Sequence, residues 1–390
     1  MMNVDAIQRA LREEKLDGWL FFDHHLRDPL AYRILDFTPP RTPSRRWYYL
    51  IPANGEPRKL VHQIEPGMLD ALPGSTSKYS SWPRQLDGLS TLLAGCQRVA
   101  MQYSAQCAVP YVAMVDAGTV ELIRAQGVEV LTSANLVQIF EAKWTQEKLN
   151  SHMAAGVLVD EVRRAAFLEI GDRLRGREPV NEYVIKRFIL ESFERAGLLT
   201  DHGPIVGVNA NASNPHYEPE ADNFEVIRQG DVVLIDLWAK LSKPGSVYYD
   251  ITWTGYTGEA IPDEVQRVFS IVTGARDAAV AKVRSAIGAG LPLCGFEVDD
   301  ACRGHIREHG MAEYFIHRTG HSIGEDVHGS GANMDNLETH DERRVIPWTC
   351  FSVEPGIYLP AFGIRSEVNV FVGDREARVT GERQTEMVRI

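Results

Sequence analysis

Residues 231–255, DVVLIDLWAKLSKPGSVYYDITWTG, form two apolar runs joined by a Pro-Gly turn, and each run carries an aspartate in its interior. Strand-length runs rich in valine, isoleucine, tyrosine and tryptophan, broken by Pro-Gly, predict a β-hairpin. Asp236 and Asp250 lie equally far from Lys243, so a simple hairpin looping there sets the two carboxylates opposite one another; a bulge would spoil that register. Two carboxylates side by side on buried strands repel and lose hydration, a cost offset only by a cation or a shared proton. Taken singly, Asp236 reads as a strand-end residue near water and Asp250 as a surface residue near a turn. The pairing is what singles out both.

Two further stretches belong with the first. In residues 350–372, CFSVEPGIYLPAFGIRSEVNVFV, Glu354 closes an apolar strand just before Pro355-Gly356. Glu367 lies in a strand where Arg365, Glu367 and Asn369 share one face and Ile364, Val368 and Val370 the other. One such strand alone would turn its polar face to water, but Glu354 in a similar strand a short turn away argues for a shared site. Residues 317–329, HRTGHSIGEDVHG, add His317, His321 and His328. Four carboxylates and an imidazole make an oxygen-rich set suited to hard and borderline divalent cations, and two ions about 3.5 to 4 Å apart can share bridging carboxylates and a water.

The whole chain sets the frame. At 390 residues it is long enough for two domains. A hydrophobic content of 44%, with no apolar run long enough to cross a bilayer, argues against membrane insertion. A net charge of −12 without a Lys/Arg tract argues against nucleic acid and anionic membranes, and leaves small or peptide-like partners. The N-terminus lacks the pattern of a secretory signal. Cys96, Cys107, Cys294, Cys302 and Cys350 show no CxxC spacing, which argues against a disulfide framework or zinc knuckle and for a reducing cytoplasm. An amphipathic helix near residues 5–14 and strands such as GWLFF and RRWYYLI predict an α/β domain over residues 1–140. A long helical pattern from Thr145 to about Gly176 opens a second, α+β domain over 141–390, where the chemistry concentrates.

The order Asp, Asp, His, Glu, Glu, carried by LIDLWAK, YYDITWTG, RTGHSIG, SVEPGIY and GIRSEV, resembles the metallopeptidase family of methionine aminopeptidase, aminopeptidase P and prolidase, family M24. The resemblance covers residue 145 to the C-terminus. The first 140 residues look like the smaller α/β domain of the prolidase, aminopeptidase P and creatinase branch, which disfavours methionine aminopeptidase. It implies an α+β fold with a C-terminal pita-bread catalytic domain. It also implies a dinuclear centre ligated by Asp236, Asp250, His321, Glu354 and Glu367, with Asp250 and Glu367 bridging, and a bridging hydroxide as nucleophile. Manganese leads as the metal, with cobalt, zinc or iron as alternatives.

Carried over position by position, Glu354 resembles the general base, and His216 and His328 match histidines that contact substrate and stabilise the tetrahedral intermediate. His317 matches a histidine lining the site. Arg365 would pair with a substrate carboxylate or, equally, hold Glu367. The implied activity is hydrolysis of the Xaa-Pro bond in dipeptides or short peptides, dipeptidase ahead of aminopeptidase, by a homodimer. A metal-free creatinase-like C–N hydrolase and a non-catalytic peptide-binding or chaperone member of the fold are the alternatives, and both usually lose ligands that are intact here. Trp238, Ser322, Gly329 and Val368 depart from the commoner family pattern and bear on substrate choice. His24 and His25 read as a loop pair, with contact to a partner's substrate in a dimer as the sharper alternative.

Overall fold

The computed structural model describes residues 2–390, and the chain divides into two compact units, Met1–Glu141 and Ala142–Ile390. The first unit is built on a six-stranded sheet: β1 (Gly18–Asp23), β2 (Trp47–Pro52), β3 (Arg58–His62), β4 (Ser75–Tyr79), β5 (Arg98–Met101) and β6 (Glu129–Thr132), in the order β4-β3-β2-β1-β5-β6. Its helices are α1 (Val4–Glu13), α2 (Pro29–Ile34), α3 (Trp82–Leu92), α4 (Ala117–Arg124) and α5 (Ala134–Val137). Strand alternation explains the layers. Trp19, Phe21, Trp47 and Tyr49 face one side and pack with Ile7, Leu11, Leu30 and Ile34. Leu20, Phe22, Tyr48 and Leu50 face the other and pack with Leu89, Leu92, Val120 and Ile123. Both faces of the central strands are apolar in the sequence because both are covered.

The second unit opens with α6 (Gln146–Gly176), capped by the Thr145 hydroxyl on the Lys148 amide at 3.3 Å and stopped at Arg177 in the left-handed region, φ 57°. Next come α7 (Glu182–Arg195), β7 (Leu198–Leu199), β8 (Ile205–Val208), β9 (Val232–Leu241), β10 (Tyr249–Tyr256), α8 (Asp263–Gly288) and α9 (Gly295–Glu308). The remaining strands are β11 (Ser322–Ile323), β12 (Thr349–Val353), β13 (Gly356–Tyr358), β14 (Gly363–Arg365), β15 (Val368–Val372), β16 (Ala377–Val379) and β17 (Val388–Arg389). One sheet runs β17-β10-β9-β7 with β8 also on β9, another runs β11-β12-β15-β16, and β13 pairs with β14.

Each of the two larger sheets has helices on its outer side. Val233, Ile235, Leu237, Tyr249 and Ile251 pack with Val159, Val162, Phe167 and Ile170 of α6. Phe351, Val353, Val368 and Val370 pack with Val268, Val272 and Ala275 of α8 and Val298 and Cys302 of α9. The alternate residues, Asp236 and Trp238 on β9 and Asp250 and Thr252 on β10, therefore point away from the helices, as do Ser352 and Asn369 on the other sheet. The two inner faces meet through polar groups: the Asp250 amide donates to Asn369 Oδ1 at 3.1 Å.

Two expectations need correction. Asp236 and Asp250 are not opposite one another: Asp250 pairs with Trp238 and Asp236 with Thr252. The reason is the turn. Ser246 N–H donates to Lys243 C=O at 3.1 Å, with Pro244 and Gly245 (φ 76°) at its corners, so the loop centres beyond Lys243 and the partners shift. The carboxylates become diagonal neighbours on one face. Residues 365–369 are also not one strand, because β14 ends at Arg365 and β15 begins at Val368. Ser366 N–H bonds Pro355 C=O and Glu367 N–H bonds Thr252 C=O, which draws the chain off its neighbour and onto the hairpin. Among the described residues no helix is long and apolar enough to cross a membrane.

Candidate metal centre

The inner faces bring together Asp250, His321 and Glu367, all buried, with one potential ligand atom from each within 4.8 Å of the others. His321 Nε2 lies 3.5 Å from Asp250 Oδ2 and 3.4 Å from Glu354 Oε1. Its backbone amide donates to Ser352 Oγ at 2.9 Å, and Ser352 Oγ in turn donates to Glu354 Oε1 at 3.1 Å. Glu367 Oε2 accepts from Thr252 Oγ1 at 2.9 Å. Asp236, 8% exposed, has one oxygen on the Arg365 guanidinium.

Three carboxylate oxygens remain: Asp236 Oδ1, Asp250 Oδ1 and Glu367 Oε1 are buried and meet no hydrogen-bond donor. Leaving such atoms unpaired is costly, and two of the three residues, Asp250 and Glu367, belong to the group gathered around His321. Burial, reinforced by Asp236, raises the Asp250 carboxyl well above the usual range; burial, Asp250 and Glu354 do the same to Glu367. Glu354 is also raised, by burial, against the opposing pull of His321 and Arg365. Burial lowers the His321 imidazole, so it is held neutral, the form in which a ring nitrogen can ligate. Repelling carboxylates, orphaned oxygens and a neutral imidazole form a donor set that fits a divalent cation.

The other histidines sit at different depths. His328 is exposed and stands edge-on to His321, with ring centroids 4.4 Å apart; His321 and burial lower it to about 3. His216 is exposed on the turn after Ser213 and lies within electrostatic reach of His328. His317 is further back. Its Nδ1 meets Arg318 C=O at 2.7 Å and its Nε2 meets the Tyr358 hydroxyl at 2.6 Å, while burial and Arg365 lower it to about 3. Arg365 departs from both sequence expectations. It is 2% exposed, and it donates to Asp236, to Thr252 Oγ1 at 3.0 Å and to Tyr358 at 3.1 Å, with no bond to Glu367. His24 and His25 lie in the first unit as a ring pair 4.1 Å apart.

Sequence reasoning missed Thr252, Ser352 and Tyr358. Thr252 could have been found from its place two residues beyond Asp250 on the same face. Tyr358 carries no comparable signal, since its role depends on β13 folding back against Arg365.

Residues 151–374 match the model of metallopeptidase family M24. Among curated proteins, the chain is 29% identical over 239 residues to a putative Xaa-Pro aminopeptidase of Mycoplasma pneumoniae, covering 60% of this chain and 61% of that one. It is 29% identical over 248 residues to a Xaa-Pro dipeptidase of Pyrococcus furiosus, covering 63% and 64%. The matched stretch thus spans less than two thirds of these relatives' length. Among solved structures it resembles dipeptidase PepE from Mycobacterium ulcerans, with TM-score 0.68, 23% identity and 99% and 96% of the two chains covered. A prolidase from Thermococcus sibiricus gives TM-score 0.65, 23% identity and 99% and 98% coverage. An X-prolyl aminopeptidase from Caenorhabditis elegans, described as a cytosolic enzyme with a di-nuclear active site, gives 0.69, 16%, 99% and 62%. The pita-bread fold expected from the sequence is the fold shared with these structures.

Proposed function

Because the chain belongs to metallopeptidase family M24, we propose that it is a metal-dependent peptidase hydrolysing the bond before proline in dipeptides or short peptides. One observation carries the reading: Asp250, Glu367 and a neutral His321 each bring a potential ligand atom within 4.8 Å of the others, and both carboxylates keep a buried oxygen without a donor. Relatives named Xaa-Pro dipeptidase and Xaa-Pro aminopeptidase support the choice of bond. Asp236, Asp250, His321, Glu354 and Glu367 would hold two divalent ions, with Asp250 and Glu367 shared between them. Manganese heads the candidates, followed by cobalt, zinc and iron. Bound there, divalent cations would polarise a peptide carbonyl and make a water acidic enough to ionise near neutral pH.

The chain's own residues supply the rest. Glu354, raised by burial, suits a general base that takes a proton from water and passes it to the leaving nitrogen. His328, edge-on to His321, and His216, within its electrostatic reach, would donate hydrogen bonds as charge develops on the carbonyl oxygen. His317 and Tyr358 buttress Arg365, which orients Asp236. A cytoplasmic homodimer completes the proposal.

The test is a calorimetric titration of manganese into chelator-treated protein, with Asp250→Ala alongside. Two sites in the parent and one or none in the variant are expected, with hydrolysis of a panel of Xaa-Pro peptides by the loaded parent. A folded parent that binds no manganese sinks the ligand assignment and leaves the metal-free and binding-only readings.

A further inference from the structure

Trp238 and Asp201 lie next to the proposed centre but belong to none of its ligands. On β9, Trp238 shares the inner face with Asp236 and pairs directly with Asp250 across the hairpin. On its other side β7 pairs Leu198 with Leu241 and Leu199 with Lys240, and β8 resumes pairing at Ile205 with Asp236. Asp201 lies in the bend between them and is reached by the Trp238 indole, so Asp201, Trp238 and Asp250 form a row of successive neighbours.

The row is fixed in place. Trp238 Nε1 donates to Asp201 Oδ1 at 2.9 Å, and the His202 amide donates to the same oxygen at 3.0 Å. The indole packs against Ile205, Ala212 and Leu234 on one flank and the cluster of Trp144, Tyr248 and Ile323 on the other. Asp201 keeps 40% of its side chain exposed, and its Oδ2 has one cationic neighbour, the largely exposed His202 ring at 3.3 Å. Burial opposes ionisation of Asp201, but the Trp238 hydrogen bond and its other donors outweigh it and hold the carboxyl below its usual range. Its charge is felt at both Asp250 and His328. An ionised carboxylate held beside the centre and 40% exposed recognises positive charge.

We propose that Asp201, held by the Trp238 indole beside the centre, binds a cationic group of the substrate: an α-ammonium, or the charged end of a lysine or arginine side chain. Asp201 and Trp238 are then the specificity-determining pair of the site. This rests on the peptidase reading above.

Kinetics with manganese on two substrate pairs test it: Ala-Pro against acetyl-Ala-Pro, and Lys-Pro against norleucyl-Pro. In the parent, the charged member of at least one pair has the lower KM. Asp201→Asn keeps the acceptor for Trp238 and removes the charge, and it shrinks that KM ratio about tenfold while kcat moves less. Collapse of the first pair identifies the α-ammonium, and collapse of the second the side chain. Trp238→Phe, which frees the carboxylate, gives a smaller shrinkage of the same ratio. KM ratios identical in parent and Asp201→Asn overturn the proposal and leave the peptidase reading standing. Should the parent hydrolyse none of the four, the peptidase reading falls, and calorimetric titration of metal-free protein with alaninamide and lysinamide decides. Tighter binding by the parent than by Asp201→Asn sustains the role of Asp201, and equal binding overturns it.

Discussion

A buried carboxylate is informative in proportion to what it lacks. Asp250 and Glu367 each keep a buried oxygen without a donor and gather with a neutral imidazole, which is why they point to a cation. Asp28, in the first unit, is the instructive contrast. It is 1% exposed, its Oδ1 caps α2 through the Ala31 amide at 3.0 Å, and its Oδ2 has no partner. No imidazole or second unpaired carboxylate oxygen joins it there, so burial alone is the main force that raises its pKa to about 7. A folded-state pKa above the unfolded value of 3.8 contributes stability below pH 3.8, and that contribution is lost as pH rises through 7. Asp28→Asn keeps the cap and removes the charge. It is expected to stabilise the first unit by about 1 to 3 kcal/mol at pH 8, with the gain shrinking toward pH 4. Urea unfolding of parent and variant at the two pH values measures this; an equal difference at both would show that burial of the charge is not what matters.

At the scale of elements, the site depends on backbone held closer than side chains allow. A Cβ on Gly320 would lie 1.9 Å from Ser352 C=O, against the strand that leads to Glu354. Three bonds cross at this point: His321 N–H to Ser352 Oγ, Ser352 N–H to His321 C=O and Glu354 N–H to Thr319 C=O, the last two at 2.8 Å. Gly320→Ala is expected to destabilise residues 142–390 by about 3 kcal/mol and to weaken manganese binding at least about tenfold, read by denaturation and calorimetry. This closeness was invisible in the sequence, where Gly320 is one glycine in a glycine-rich loop. The elements themselves were legible. Apolar runs of strand length, the Thr145 cap and the Pro244-Gly245 turn each have a local physical cause, and each is where the residues put it. The diagonal placement of Asp236 and Asp250 was not legible, because it is set by how many residues the turn consumes. Nor was the break at Ser366-Glu367, which exists because Thr252 and Pro355 offer carbonyls from other elements. Arg365 was misread for a related reason: side-chain alternation gives a face, while the partner on that face is decided by the strand packed opposite.

The candidate metal group of the whole molecule lies in the second of its two compact units. A ligand that binds only the folded form stabilises the unit that holds it, by about 2.7 kcal/mol at a concentration one hundred times Kd. Manganese is therefore expected to raise the thermal transition of residues 142–390 and to leave that of the first unit where it is; scanning calorimetry with and without chelator reads both. A uniform upward shift would place the cation elsewhere or couple the units. One feature of the larger sheet also orders events during synthesis. Val388 and Arg389 of β17 lie beside Gly255 and Tyr256 of β10, and Gln384 exchanges bonds with both the amide and the carbonyl of Thr254, on the strand that carries Asp250. The strand bearing a proposed ligand is thus flanked by residues that lie 130 positions later in the sequence. A nascent chain can have its first unit folded while this edge is still missing, so the strand that carries Asp250 gains its outer neighbour only once translation has passed these residues.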